Sequence, residues 1–202
     1  LTADNNKEEI KTVLNNSFNI SMLFIIPMSV GIALLSSDIV KMIYERGEFT
    51  AESTALTSAA LIYYAIGMIG YGLMEFLNKA FYAMQDSKTP MKTSIVAIVL
   101  NVVLSIVLVR TMGYVGLPLA TSITSIVTAV LMLVLANKKI KGIINKETLK
   151  ESLKTVMAAV IMALVILVLK KVIVGETILC TLVRVGVSVL AGIIIYFAGV
   201  IL

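Results

Sequence analysis

The chain has no histidine, no tryptophan and one cysteine. Without histidine it lacks the side chain that most often serves as general acid–base group and metal ligand near neutral pH. Cys180 stands alone in an apolar run, which excludes a disulfide framework and a cysteine metal site. With no tryptophan, any aromatic belt at a membrane surface falls to tyrosine and phenylalanine. Charge is scarce as well: 14% of residues are Asp, Glu, Lys or Arg, against about a quarter in an ordinary soluble domain. No nucleophile–base pair, phosphate-binding glycine loop or metal-ligand cluster can be found, so the sequence argues against an enzyme active site. The first sixteen residues are polar and lack the apolar centre of a signal peptide. The chain begins on Leu1 and stops on Leu202 within an apolar run, and reads as part of something longer.

What is present is apolar. Hydrophobic residues make up 59% of the 202, and the mean hydropathy is +1.01. The fold class that follows is all-α: a polytopic membrane protein of six spans in three hairpins. A lead-in, 1–16, carries Ile10, Val13 and Leu14 at helical spacing and reads as a short surface helix. Spans follow at about 17–37, 55–77, 94–109, 117–136, 155–169 with a continuation through Val174, and from 178 on; the first is long enough to cross a hydrocarbon core of roughly 30 Å, and 175–177, with Glu176, turns the chain between the last two. Pro27 sits inside the first span, either as a packing kink or as a hinge. After it, Asp38, Lys41 and Glu45 alternate with apolar residues as an interfacial amphipathic extension.

The chain is organised around 77–92, LNKAFYAMQDSKTPMK, a compact mixed-charge stretch between two long spans. Thr89 followed by Pro90 reads as an N-cap and first helical position, and Asp86 stands where the helix dipole favours an anion. Lys79, Lys88 and Lys92 mark this turn as cytoplasmic. The basic stretch 137–154 holds Lys138, Lys139, Lys141, Lys146, Lys150 and Lys154. Together with Lys7 and Lys11 these make eleven positive charges on one side. Lys41, Arg46, Arg110, Lys170 and Lys171 make five on the other. The bias puts both chain ends in the cytoplasm. Beside two spans, the basic stretch is explained by topology or by anionic lipid, not by nucleic acid.

Polar residues inside the spans are the site candidates. Gly67, Gly70 and Gly72 permit close helix contact or a bend. Glu75 is either a proton or cation ligand or a surface carboxylate paired with Lys79. Asn101 and Ser105 share a face of the third span. Thr121, Thr124, Ser125 and Thr128 form a hydroxyl stripe on the fourth. Two readings stand: small-residue packing with hydroxyls bonded to their own carbonyls, or a polar cavity shared by Asn101, Ser105 and Thr121. Arg184, about two turns into the last span, is the one deep cation.

ERGEFT (45–50), then 77–92, then a span with Asn101, then GYVGLPLATS (113–122) resembles the MurJ/MviN family of bacterial lipid II flippases, within the MOP exporter superfamily. Arg46, Gly47, Phe81, Tyr82, Asp86, Lys88, Thr89 and Pro90 belong to these motifs. The resemblance covers nearly the whole chain and implies helices nine to fourteen of fourteen. On that scheme 17–136 is four helices of the second lobe, and 155–202 is the C-terminal pair that forms a groove for the lipid tail. It implies a bacterial inner-membrane protein that moves a lipid-linked cell-wall precursor by alternating access and uses no cofactor, with a coupling cation or the membrane potential as driving force. Partners would be membrane lipids, an N-terminal lobe and the cell-wall synthesis machinery. The family's head-group arginines lie in helices outside this stretch. Asn101 and Thr121 match ligand positions of a cation site found in some members, while Ser105 falls where an acid is expected. Alternatives are a polysaccharide-lipid or drug exporter of the same superfamily, and a structural membrane domain.

Overall fold

The computed structural model describes residues 2–139, 146–173, 175 and 177–201. They form six helices: α1 Thr2–Tyr44, α2 Ala51–Ala83, α3 Lys88–Met112, α4 Gly116–Lys139, α5 Lys146–Val172 and α6 Ile178–Ile201. In lipid the backbone must satisfy its own hydrogen bonds, and helices do so within each segment. Five helical stretches among the described residues are long and apolar enough to cross a membrane. The longest, Lys88–Lys139, is folded in two by the 3-10 turn Gly113–Val115, so the described residues give six long helices paired as three hairpins. Gly113 makes that turn at φ +65, which a side chain would strain. The helices lie across the bundle in the order α3, α4, α2, α1, and the α5–α6 pair then covers the other side of α1.

The core lies where α1 meets α2 and α5. Phe18 and Phe76 stack edge to face at 5.7 Å, and Leu35, Leu77, Phe81, Met132, Ile166 and Tyr196 are almost fully enclosed. The outer face of α3, including Ile95, Ile98, Val102 and Val103, is exposed. α2 and α4 approach through small residues. Ser122 donates to the Tyr63 carbonyl, and Ser125 donates to the Gly67 carbonyl at 3.0 Å. A Cβ at Gly70 would come within 2.6 Å of the backbone of Ser125 and Ile126, which cannot yield as a side-chain tip can. Gly70→Leu should therefore cost at least about 2 kcal/mol and lower the melting temperature in detergent by several degrees. Gly186, with open space around its Cβ, should accept leucine within about 0.5 kcal/mol. Equal melting temperatures for the two variants would show that the α2–α4 contact is loose.

Four expectations need correction. The lead-in 1–16 is not a separate surface helix: α1 runs unbroken from Thr2 through Pro27 to Tyr44. The polar turns at its two ends keep their backbone bonds and continue the span. The stretch 137–154 is not a loop, because α4 reaches Lys139 and α5 starts at Lys146. Lysine stems can lie along a helix and still reach water, so basic composition alone does not end one. Lys141 lies outside the described residues, as do Val174 and Glu176. Thr89 is not the N-cap of α3, which begins at Lys88. The N-cap is Ser87, whose side chain makes no capping bond; Asp86, one residue earlier, supplies it, its carboxylate accepting the N–H groups of Lys88 and Thr89, both at 3.1 Å, and the Thr89 hydroxyl. Finally, Asp38 does not belong to an interfacial polar face; it is 4% exposed.

The turn at 84–87 shows why the motif is compact. The N–H of Gln85 bonds the Tyr82 carbonyl and that of Asp86 bonds the Phe81 carbonyl, both at 2.9 Å. This is a Schellman closure with Gln85 in the left-handed region at φ 57. Lys139, from the end of α4, pairs with Asp86 and lies 5.9 Å from the Phe81 ring centre. The Lys139 bond first, and then that of Thr89, hold the Asp86 carboxyl well below the usual carboxylate range. One aspartate thus ends one hairpin and ties down the next.

Candidate functional site

An apolar groove of about 420 Å³ opens between α1, α5 and α6. Phe24, Met28, Gly31, Leu35, Ile166 and Gly192 are among its lining. On α1 the lining runs from Phe24 to Ile39, about 22 Å of helix at 1.5 Å per residue. Gly31 borders open space: a Cβ there would meet nothing within 4 Å. At one end Phe24 stacks on Phe197 at 6.4 Å, and the Tyr196 hydroxyl donates to the Leu23 carbonyl at 2.6 Å. That bond satisfies the polar tip of a ring that is otherwise enclosed.

Next in sequence to Ile39, at the other end of this lining, stands a charged residue outside it. Asp38 of α1 meets Lys170 of α5 and Arg184 of α6. Arg184 also donates to the Ile173 carbonyl at 3.3 Å. Lys170 Nζ donates to the Leu34 carbonyl at 2.7 Å and stands 3.0 Å from Asp38 Oδ2. Oδ2 is without an aligned hydrogen bond, so the Lys170 approach is chiefly a charge contact. Three helices are tied here by one carboxylate. Sequence reasoning missed Asp38. The available signal was the deep Arg184, because cations at membrane depth pair with acids or with backbone carbonyls.

The candidates read from the sequence separate into different places. Asn101 Nδ2 donates to Thr121 Oγ1 at 3.4 Å across the α3–α4 hairpin, and Thr121 in turn donates to the Leu117 carbonyl at 3.0 Å. Ser105 is half-buried one turn along α3. Ser125 faces the other way, into α2, and its hydroxyl is used up by the carbonyls of Gly67 and Ser122. Thr124 is buried with no partner for its hydroxyl. Glu75 is exposed and pairs with Lys79 at 3.4 Å. Such an exposed pair contributes little. Arg46, Gly47, Tyr82 and Lys88 are at the surface, whereas Phe81 and Pro90 are buried and Thr89 is half-buried. These groups therefore form no single cluster: the Asn101 pair lies on α3–α4, and the groove lies beyond α2 on the far side of α1.

Comparison with known proteins supplies what geometry alone does not. A family model described as Lipid II flippase MurJ matches residues 1–188. The lipid II flippase MurJ of Thermosipho africanus is 32% identical over 129 residues, which are 64% of this chain and 27% of that protein. The probable lipid II flippase MurJ of Rickettsia prowazekii is 28% identical over 189 residues, 92% of this chain and 37% of that one. A solved structure, lipid II flippase MurJ in an inward closed conformation, superposes with a TM-score of 0.80 at 28% identity, over 96% of this chain and 39% of that one. The chain thus spans well under half the length of these relatives. The match runs through all three motifs, the six-helix order and nearly every helical residue described above. By that match this multi-pass membrane chain belongs to the MurJ family.

Proposed function

We propose that this chain is the second-lobe portion of a flippase for the lipid-linked cell-wall precursor, and that it works by alternating access with the remainder of such a protein. The observation that carries the reading is the apolar groove between α1, α5 and α6. At about 22 Å it suits an extended isoprenoid or acyl chain and is built to hold an apolar tail. The relatives named above, several of them called lipid II flippases, support the same substrate. The Asn101–Thr121 pair is proposed as a polar contact that the lobe uses as it moves, because an amide in a span is expensive unless it is bonded. Both chain ends are proposed to face the cytoplasm of a bacterial inner membrane, on the strength of the lysine asymmetry.

The test of function is a chimera in which this chain replaces the matching stretch of the Thermosipho africanus protein, in cells depleted of their own lipid II flippase. Growth is the expected result. Asn101→Leu in the same chimera should slow growth while the membrane level of the protein holds. Undiminished growth would leave Asn101 as packing. Orientation is checked with single cysteines in a Cys180→Ala background. Ser87→Cys should react only after the inner face is opened to reagent, and Glu48→Cys should react in intact spheroplasts. The reverse pattern would overturn the assignment of sides.

A further inference from the structure

Pro27 has no N–H to give the carbonyl one turn before it, which is that of Leu23. Within a bilayer no water replaces the missing donor, so a neighbouring helix must supply one. The Tyr196 hydroxyl of α6 does so at 2.6 Å. The Tyr196 side chain is 2% exposed, so packing holds the donor in place. α1 thus runs unbroken through its proline with the help of a bond from another helix. Its two halves are anchored separately. Before the proline, Phe18 stacks on Phe76 of α2. After it, Ser29 donates to the Ala65 carbonyl of α2, and Asp38 meets Lys170 and Arg184. Between the halves, Ile25 is seated in the notch that Gly72 leaves on α2. A second cavity, of about 450 Å³, lies between the first half of α1 and α2, with Leu14, Ser17, Ser21 and Gly72 in its lining. That half has room to move toward α2.

We propose that Pro27 and Tyr196 form a latch: α1 is hinged at 23–27, and the hydroxyl from α6 holds the hinge shut. A proline ring presses on the turn before it and favours a bend away from its own side. Pro27 lies on the groove side of α1, as does Tyr196 on α6. A bend therefore turns the first half of α1 away from α6. It breaks the bond to Leu23, parts Phe24 from Phe197 and opens the groove at that end. Ile25, two residues before the proline and so on the opposite side of the helix, is the pivot against Gly72. Tyr196 is a positioning residue: it acts on the groove through the backbone of α1. The latch stands without the transport reading, and its failure would leave that reading intact.

The test is a double-mutant cycle on the purified chain in neutral detergent. Tyr196→Phe keeps the ring and removes the donor. Amides of 28–31, just after the proline, should then exchange about tenfold faster, and the melting temperature should fall by about 4 °C. Pro27→Ala restores the N–H that Leu23 lacks and makes the hydroxyl redundant. Adding Tyr196→Phe to Pro27→Ala should therefore change exchange by less than about twofold. The bend itself is read with spin labels at Asn16→Cys and Tyr44→Cys, both exposed, in a Cys180→Ala background. Their Cα atoms are about 42 Å apart along a straight helix. The distance distribution should broaden toward shorter values in Tyr196→Phe and return to one narrow population when Pro27→Ala is added. Pro27→Ala alone should slow exchange at 28–31, and serves if the phenylalanine variant does not fold. Equal effects of Tyr196→Phe in the two backgrounds would make Tyr196 a packing residue. A Tyr196→Phe chain with the exchange and label distances of the parent would show that the bond holds no hinge. Either result overturns the proposal.

Discussion

Asp38→Ala in neutral detergent should lower the melting temperature of the chain by roughly 10 °C. Two effects add. The α5–α6 pair loses the carboxylate that binds it to α1 through Lys170 and Arg184. Two cations, with side chains 28% and 14% exposed, are left facing each other without compensation. Breaking a buried pair from one side costs about 3–5 kcal/mol, because the orphaned charge stays desolvated. At about 2–4 °C per kcal/mol for a chain of this size, that is the expected shift. Amide exchange should rise first in the segment after Lys170 and at the start of α6, since Arg184 also holds the Ile173 carbonyl. Replacing all three groups by leucine should recover most of the loss, as apolar packing often matches a buried ion cluster. An Asp38→Ala chain that melts with the parent would show that the triad carries no stability.

Asp38 also marks where reading the sequence stops. Its partner Arg184 is 146 residues away, and nothing local distinguishes an acid that turns inward from one on an amphipathic rim with Lys41 and Glu45. Both fit the same alternation of polar and apolar residues. The Asn101–Thr121 bond was legible as a facing pair for the opposite reason. A tight turn of fixed length lies between them, and polar groups stand out in apolar spans. The glycines of α2 were legible as a place for close contact or a bend; Gly67 and Gly70 meet Ser122 and Ser125 of α4, and Gly72 meets Ile25 of α1. The continuous α1 and the early start of α5 were not. A polar helical turn looks the same whether it lies on the surface alone or continues a span, and only packing of the neighbouring helices decides. The groove could be anticipated only through family resemblance. It is made by three helices whose facing residues are for the most part ordinary aliphatic and aromatic side chains and glycines.

The second large effect is a loss of function by isolation: residues 1–202 alone should support no lipid II transport. A diphosphate leaving water needs several cations placed along its path. Among the described residues Arg184 is the one basic side chain well inside a span, and it is already bound to Asp38. The other described lysines and arginines lie in turns, outside the candidate spans or close to the ends of the spans, where they set orientation. The groove lining holds no charged side chain, so it can hold a chain but offers a diphosphate no route across. Alternating access also needs a second body to rock against, and five of the six helices described here, all but α3, share one core.

The measurement that bears most directly on this account is growth of flippase-depleted cells that carry residues 1–202 alone, beside cells that carry the same residues within the Thermosipho africanus chimera. With equal membrane levels of the two proteins, the chimera should restore growth and deliver precursor to the outer leaflet, while residues 1–202 alone should do neither. Restored growth with residues 1–202 alone would contradict the account, because the head-group path would then lie within these six helices.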